Sequence, residues 1–249
     1  MKPRLLRAAI LGFALVWLAM TVVLKPSSAA YKGDAISIAF ASAVDGQTAR
    51  TTATNSSALD VTALDEMLRG TKGQMQRWTS APELVVLESV MEYRSGDRAD
   101  YPATAAVLAD EEVAQMVADL TGALALLTGN TFRGFSAVKR EQVAAGSAAR
   151  ITRPNQIVVG RYRGVQAQLK TIGLGGRSTR ADGTITAAAI LLDDDFDRTN
   201  AARRLLRMHE LGHALGYNHV QSRTSIMNPR IGPEPTDFDR RAALIAFAR

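Results

Sequence analysis

The chain has 249 residues with 30 basic and 24 acidic side chains, no cysteine and three histidines. The lack of cysteine excludes disulfides, iron–sulfur clusters and thiolate metal sites. The net charge of +6 is concentrated at the start: without Lys2, Arg4, Arg7 and Lys25 the balance is 26 to 24, or +2, which gives no support to nucleic-acid binding.

Residues 1–30 hold those four bases and no acid, and residues 8–24 form an uncharged apolar run of 17 residues. Pro26-Ser27-Ser28-Ala29-Ala30 follows, with small residues at the positions a signal peptidase reads. Cleavage after Ala30 is the favoured reading. The rival is an uncleaved anchor, because the run is near the lower length limit for a spanning helix. Both place the rest of the chain outside the cytoplasmic membrane, secreted or tethered by residues 8–24, with the basic residues left inside. Membrane contact is then expected only through this segment.

Residues 31–81 read as a linker or propeptide. Residues 41–57 are rich in Ala, Thr and Ser and lack periodicity. A short helix fits within residues 59–78, with Leu64, Met67 and Leu68 on one side. Residues 82–249 read as one α/β unit of ordinary single-domain size. The first strand is predicted over 84–93. A helix follows over 110–128, with an acidic start, Val113, Met116, Leu120, Leu124 and Leu127 at helical spacing, and a stop at Gly129-Asn130. Further strands are predicted over 131–138, 156–162, 165–174 and 184–192. A helix over 201–215, capped by Thr199 or Asn200, and a terminal helix over 237–247 complete the order. No internal repeat is visible. Gly173, Gly175 and Gly176 either allow a close backbone approach or form a flexible turn. No lysine follows at the spacing a phosphate loop needs.

All three histidines lie in His209-Glu210-Leu211-Gly212-His213-Ala214-Leu215-Gly216-Tyr217-Asn218-His219. On a helix His209 and His213 stand one above the other, four residues apart, so both can reach one metal ion. Glu210 can address a water at that metal without being a ligand. Gly216 can end the helix in a left-handed conformation, and the returning chain can then supply His219. Three neutral nitrogens leave a fourth position of Zn2+ open for water, as a catalytic zinc site requires. No further histidine remains for a second site of this kind.

This pattern, HExxHxxGxxH, with Ser225-Ile226-Met227-Asn228-Pro229 downstream, resembles the metzincin zinc peptidases, and the short S-x-M-x-P turn looks most like the matrixin branch. The resemblance is specific over residues 184–229 and architectural over 82–183. It implies an α/β (α+β) zincin-like fold: a mixed twisted sheet with an active-site helix, a Met-turn and a C-terminal helix. By resemblance Met227 lies beneath the metal, and residues 228–231, including Arg230, wall the pocket beside the scissile bond. An edge strand around 171–176 is implied to pair with the substrate backbone. Val220 stands where a matrixin usually has a polar residue after the third histidine. Pro229 replaces the tyrosine that some branches use as an extra ligand. Without cysteine, the thiol-capped latency of many matrixins is excluded.

The expected activity is that of a zinc-dependent endopeptidase with protein or peptide substrates, in which His209, His213 and His219 hold one catalytic Zn2+ and Glu210 is the general base. The alternatives are a zinc-binding adhesion or assembly protein without catalysis, and a hydrolase of cell-wall peptide cross-links. A propeptide would bring Asp45, Asp60, Asp65 or Glu66 to the zinc, whereas a spacer would bring none; the spacer is favoured. Asp193, Asp194, Asp195 and Asp197 suit either Ca2+ or a solvated turn before a helix, with the turn favoured because EF-hand spacing is missing. Arg203, Arg204 and Arg207 are expected on the solvent face of the ligand helix, with an anionic-substrate role as the minor reading.

Overall fold

A computed structural model describes residues 60–70, 73–95 and 100–248. The signal or anchor reading of 1–30 and the acid Asp45 lie outside the described residues. Among the described residues, no helix is long and apolar enough to cross a membrane.

The sheet is built on β6 (Gln156–Arg163), whose QIVVGRYR sequence is apolar on both sides, as a strand covered on both faces requires. β8 (Ile185–Asp193) pairs with it in parallel on one side. On the other side lie β1 (Glu83–Leu87) and β2 (Ser89–Glu92), both parallel to it. The single strand expected over 84–93 is therefore two strands broken at Glu88. β4 (Val138–Glu141) extends β1, while β3 (Asp100–Val107) and β5 (Ala148–Arg150) extend β2 as antiparallel strands. β7 (Gly173–Thr179) runs antiparallel to β8 and, among the described strands, pairs with β8 alone, so no described strand covers its outer edge.

Alternation along the central strands divides the core. Leu84, Val86, Ile157, Val159, Ala188, Ile190 and Leu192 face the helices, whereas Val85, Leu87, Val158, Ala189 and Leu191 face a second cluster around Tyr93, Tyr101 and Tyr162. The first face is covered by α2 (Asp110–Leu127) and α5 (Arg203–Leu215), with α6 (Asp237–Phe247) behind them. α2 buries Val113, Met116, Leu120, Ala123, Leu124 and Leu127; Glu112 reaches back to the Ala109 N–H at 2.9 Å. This mixed sheet with helices fits the α/β zincin-like matrixin fold.

The structure revises several sequence expectations. Residues 131–138 form no strand before β4 begins at Val138. Residues 165–174 divide into a short helix, α3 (Val165–Leu169), and the start of β7. The acidic run is also a helix, α4 (Asp194–Thr199), rather than a turn. The spacer reading does not hold for residues 60–81. α1 (residues 60–69) buries Ala63, Met67 and Leu68 in the main core. Trp78, also buried there, donates its indole N–H to the Ala214 carbonyl at 2.9 Å. The packed unit thus begins at or before residue 60 rather than at 82.

Arg207 corrects another expectation. It is 1% exposed rather than on a solvent face, and it bonds Asp197 through Nε at 2.7 Å and Nη2 at 2.8 Å, and Asp119 through Nη1 at 2.8 Å. Arg161 of β6 reaches the same Asp197 at 2.7 Å and also pairs with Glu112. Two guanidiniums and three carboxylates thereby tie α2, α4, α5 and β6 together two residues before His209. A charge buried this deeply is tolerable only while it is paired. Arg207→Ala is expected to lower the unfolding free energy by about 3–5 kcal/mol in chemical denaturation, because it strands Asp197 and Asp119. A loss below about 1 kcal/mol, the scale of an exposed pair, would show that Arg161 alone neutralises the cluster.

Candidate metal centre

The ligand helix α5 starts two residues later than expected. Ala202 is its N-cap residue, and Asn200 Oδ1 accepts the Ala202 N–H at 2.8 Å, so Asn200 braces the entry from one turn upstream. The helix ends at Gly216, whose φ of 118° lies in the region that favours glycine. A Cβ at this position would also collide with the Gln76 carbonyl. The reversal then brings His219 back beneath His209 and His213.

The three imidazoles converge. Nε2 of His219 lies 3.2 Å from Nε2 of His209 and 3.1 Å from Nε2 of His213. Ligands about 2.0–2.1 Å from a tetrahedral ion stand roughly 3.3 Å apart, so the donor set fits one Zn2+. Nδ1 of His209 faces the Ile226 carbonyl at 2.7 Å, and Nδ1 of His213 faces the Tyr217 carbonyl at 3.0 Å. A carbonyl can only accept, so both rings carry the proton on Nδ1 and turn bare lone pairs on Nε2 toward the common point. Such lone pairs repel one another unless a cation lies between them. Among the described residues, the trio forms a group that could hold a metal ion.

Burial favours the protonation states a cation needs. It pulls His209 down to about 4, with His219 adding to the effect and the Ile226 carbonyl opposing it. It also holds His213 well below the usual range, helped by both other imidazoles, and lowers His219. Glu210 is 5% exposed, and burial pushes its carboxyl up to about 8 against the backbone N–H of Gly175, which favours the ionised form. A dication at the imidazoles would act in the same direction as that N–H.

The walls explain how Glu210 and the trio are held. A Cβ on Gly173 would stand 2.5 Å from Glu210 Oε1, and one on Gly175 would stand 2.6 Å from His213 Cβ. These glycines let the backbone of β7 lie against α5, which decides between close approach and flexible turn for both. Gly176 has open space where its Cβ would be. On another side of α5, Gly212 makes room for Met227, which is fully buried. The turn around Met227 is fastened by Asp239 of α6, which accepts from Ser225 Oγ at 2.5 Å and from the Ile226 N–H at 3.2 Å. Asp239 therefore fixes the segment whose carbonyl orients His209. Sequence reasoning missed Asp239 and Gly212; the spacing Ser225-x-Met227 followed by a buried acid at a helix start was the available signal for Asp239.

Other expected roles meet different partners. Asp60 pairs with Arg223 at 2.7 Å and Arg241 at 2.6 Å, Asp65 pairs with Arg69 at 3.0 Å, and Glu66 accepts from Gln221 N at 3.2 Å and Ser222 Oγ at 3.1 Å. These acids bond arginines and the 221–222 segment rather than the histidines. The calcium reading meets the same difficulty. Asp193 caps α4 at the Phe196 N–H, Asp194 pairs with Arg198, and Asp197 is held by Arg161 and Arg207. Of the four acids, Asp195 is the one left largely in solvent, 96% exposed. Arg230 is exposed.

Residues 136–241 match the Matrixin family model, a span that contains the trio, Glu210, Met227 and the whole of β6 to α5. Over these residues the chain is similar to the matrixins, the branch of the metzincins that its histidine motif and Met-turn resemble. The match carries the resemblance upstream of residue 184 to the start of β4. The family implies zinc, metallopeptidase activity and protein or peptide substrates. A search of curated proteins gave no match.

The packing of β7 on α5 is open to a paired test. Gly175→Ala is expected to cost about 1–3 kcal/mol in thermal or chemical unfolding, as overpacked sites do. Gly176→Ala, one residue on and facing open space, should stay within about 0.5 kcal/mol of the parent. Equal effects at the two positions would show that β7 does not press on the ligand helix.

Proposed function

We propose that the protein is a zinc endopeptidase in which His209, His213 and His219 hold the metal and Glu210 is the catalytic base. The observation that carries this reading is the convergence of three imidazole nitrogens beside a buried carboxyl that is not one of them. When bound, Zn2+ would supply Lewis-acid activation of water and polarise the scissile carbonyl. Glu210 follows His209 directly and projects about 100° away around the helix, so its carboxylate stays out of the ligand set. It takes the proton from the attacking water and returns it to the departing amine. The outer edge of β7, which no described strand covers, supports binding of an extended peptide as an added strand, where backbone hydrogen bonds give affinity without demanding a particular sequence. Met227 supports the trio as an apolar floor, and residues 228–231 are proposed to border the pocket beyond the scissile bond.

Glu210→Ala separates binding from catalysis. Zinc content and melting temperature should stay close to the parent values, while hydrolysis of casein or an unstructured peptide library falls by about 10²–10⁴-fold. Near-normal hydrolysis by the variant contradicts the proposed base. If the parent chain binds zinc yet cleaves neither casein, peptides nor wall fragments, the non-catalytic binding reading replaces this one. Cleavage confined to wall fragments would select the cell-wall hydrolase.

The reading includes an extracytoplasmic location, which rests on the sequence of residues 1–30. N-terminal sequencing of exported protein is expected to begin at Tyr31. Material that retains Met1 would instead identify a membrane anchor.

A further inference from the structure

Side chains alternate along β7, so Gly173, Gly175 and Arg177 face the same way. The two glycines lie against α5, and Arg177 is the next residue of that face, where the helix is about to end. Its guanidinium makes four hydrogen bonds. Nη1 donates to the His213 carbonyl at 2.8 Å and to the Tyr217 carbonyl at 3.3 Å. Nη2 donates to Asn218 Oδ1 at 3.1 Å, and Nε to Gln76 Oε1 at 2.6 Å.

All four of these acceptors are neutral, so the usual reason for a half-buried arginine, a facing carboxylate, does not account for them. Each acceptor instead bears on the histidines. The His213 carbonyl belongs to the last turn of α5, where a cation complements the negative end of the helix. The Tyr217 carbonyl is the group that accepts from His213 Nδ1. Asn218 precedes His219, and its backbone and side-chain N–H groups both bond the Met67 carbonyl, at 2.9 Å and 3.1 Å. Gln76 holds the guanidinium from the far side, and its carbonyl lies where a Cβ on Gly216 would stand.

We infer that Arg177 is a positioning residue of the candidate metal centre, its planar fork setting the Tyr217 carbonyl that orients His213 and the Asn218 side chain that precedes His219. The inference rests on the metal-centre reading above. A fork is needed because Nε, Nη1 and Nη2 each meet acceptors of their own; an ammonium supplies the charge without that geometry. Groups that orient metal-binding histidines typically change metal affinity about 10–100-fold when removed.

The test compares the full-length parent chain with Arg177→Met and Arg177→Lys. Zinc affinity is measured by competition with a chromophoric chelator, at a temperature where circular dichroism shows the chelator-treated proteins folded. The absorption spectrum of bound Co2+ reports ligand geometry separately from activity. Arg177→Met is expected to weaken zinc binding about 10–100-fold and to alter the Co2+ spectrum. Arg177→Lys should recover part of the affinity through its charge at the helix end. If either variant is folded and binds zinc within about twofold of the parent with the parent's Co2+ spectrum, the inference is wrong. Should Arg177→Met not fold, Arg177→Lys decides. Should neither fold, Arg177 is a structural residue and the inference fails. A parent chain that binds no zinc overturns the metal-centre reading itself, an outcome distinct from these.

Discussion

Three imidazole nitrogens crowd one spot, and much of the structure serves to hold them there. Nδ1 of His209 and of His213 is committed to a backbone carbonyl, which aims the Nε2 of both rings at that spot. Packing on several sides maintains the convergence. Tight backbone approach at Gly173 and Gly175 fixes one side of α5, and Met227 seated against Gly212 fixes another. The reversal at Gly216, closed by the Gln76 carbonyl, brings in the third ring. Each contact places backbone where a side chain would have held it off.

Charge is arranged to match. The ionic cluster of Arg161, Arg207, Asp197, Asp119 and Glu112 joins α5 to α2, α4 and β6, and its members pair with one another. It carries rigidity into the first turns of α5 without placing an unpaired charge near the imidazoles. At the far end of the helix, Arg177 meets only dipoles among its hydrogen-bond partners, so its charge is balanced by the carbonyl ends of α5 and the following loop. Asp239 holds the turn around Met227 through a backbone N–H and a hydroxyl.

The parts of this design that are local in sequence were legible before any coordinates. His209, His213, Gly216 and His219 are fixed relative to one another by helix geometry and a single reversal. α2, β6 and β8 announce themselves because their apolar periodicity matches their period of repeat. What was not legible depends on partners far along the chain. Arg207 has the charge and spacing of a solvent-facing helix residue, and only Asp119, 88 positions away, together with Asp197, makes its burial tolerable. β3 was missed because Pro102, Ala103, Ala105 and Ala106 give it low strand propensity, yet it is held by pairing with β2 and β5 on its two sides. The helical pattern in residues 59–78 was visible, but its docking beside His219 was not, since it depends on Asn218 meeting the Met67 carbonyl across 151 positions. The four aspartates left a cation reading open beside the favoured turn, because the arginines that hold Asp197 come from β6 and α5 rather than from the adjacent sequence.

We propose that these residues form an open, catalytic type of zinc site, with three nitrogen ligands and one exchangeable position. X-ray absorption at the zinc edge of the loaded chain tests it most directly. The account predicts three imidazole nitrogens at about 2.0–2.1 Å with one light oxygen scatterer completing the shell, and replacement of that scatterer when a hydroxamate is added. A closed shell of four protein ligands that ignores the hydroxamate, or zinc bound without an imidazole signature, would contradict it.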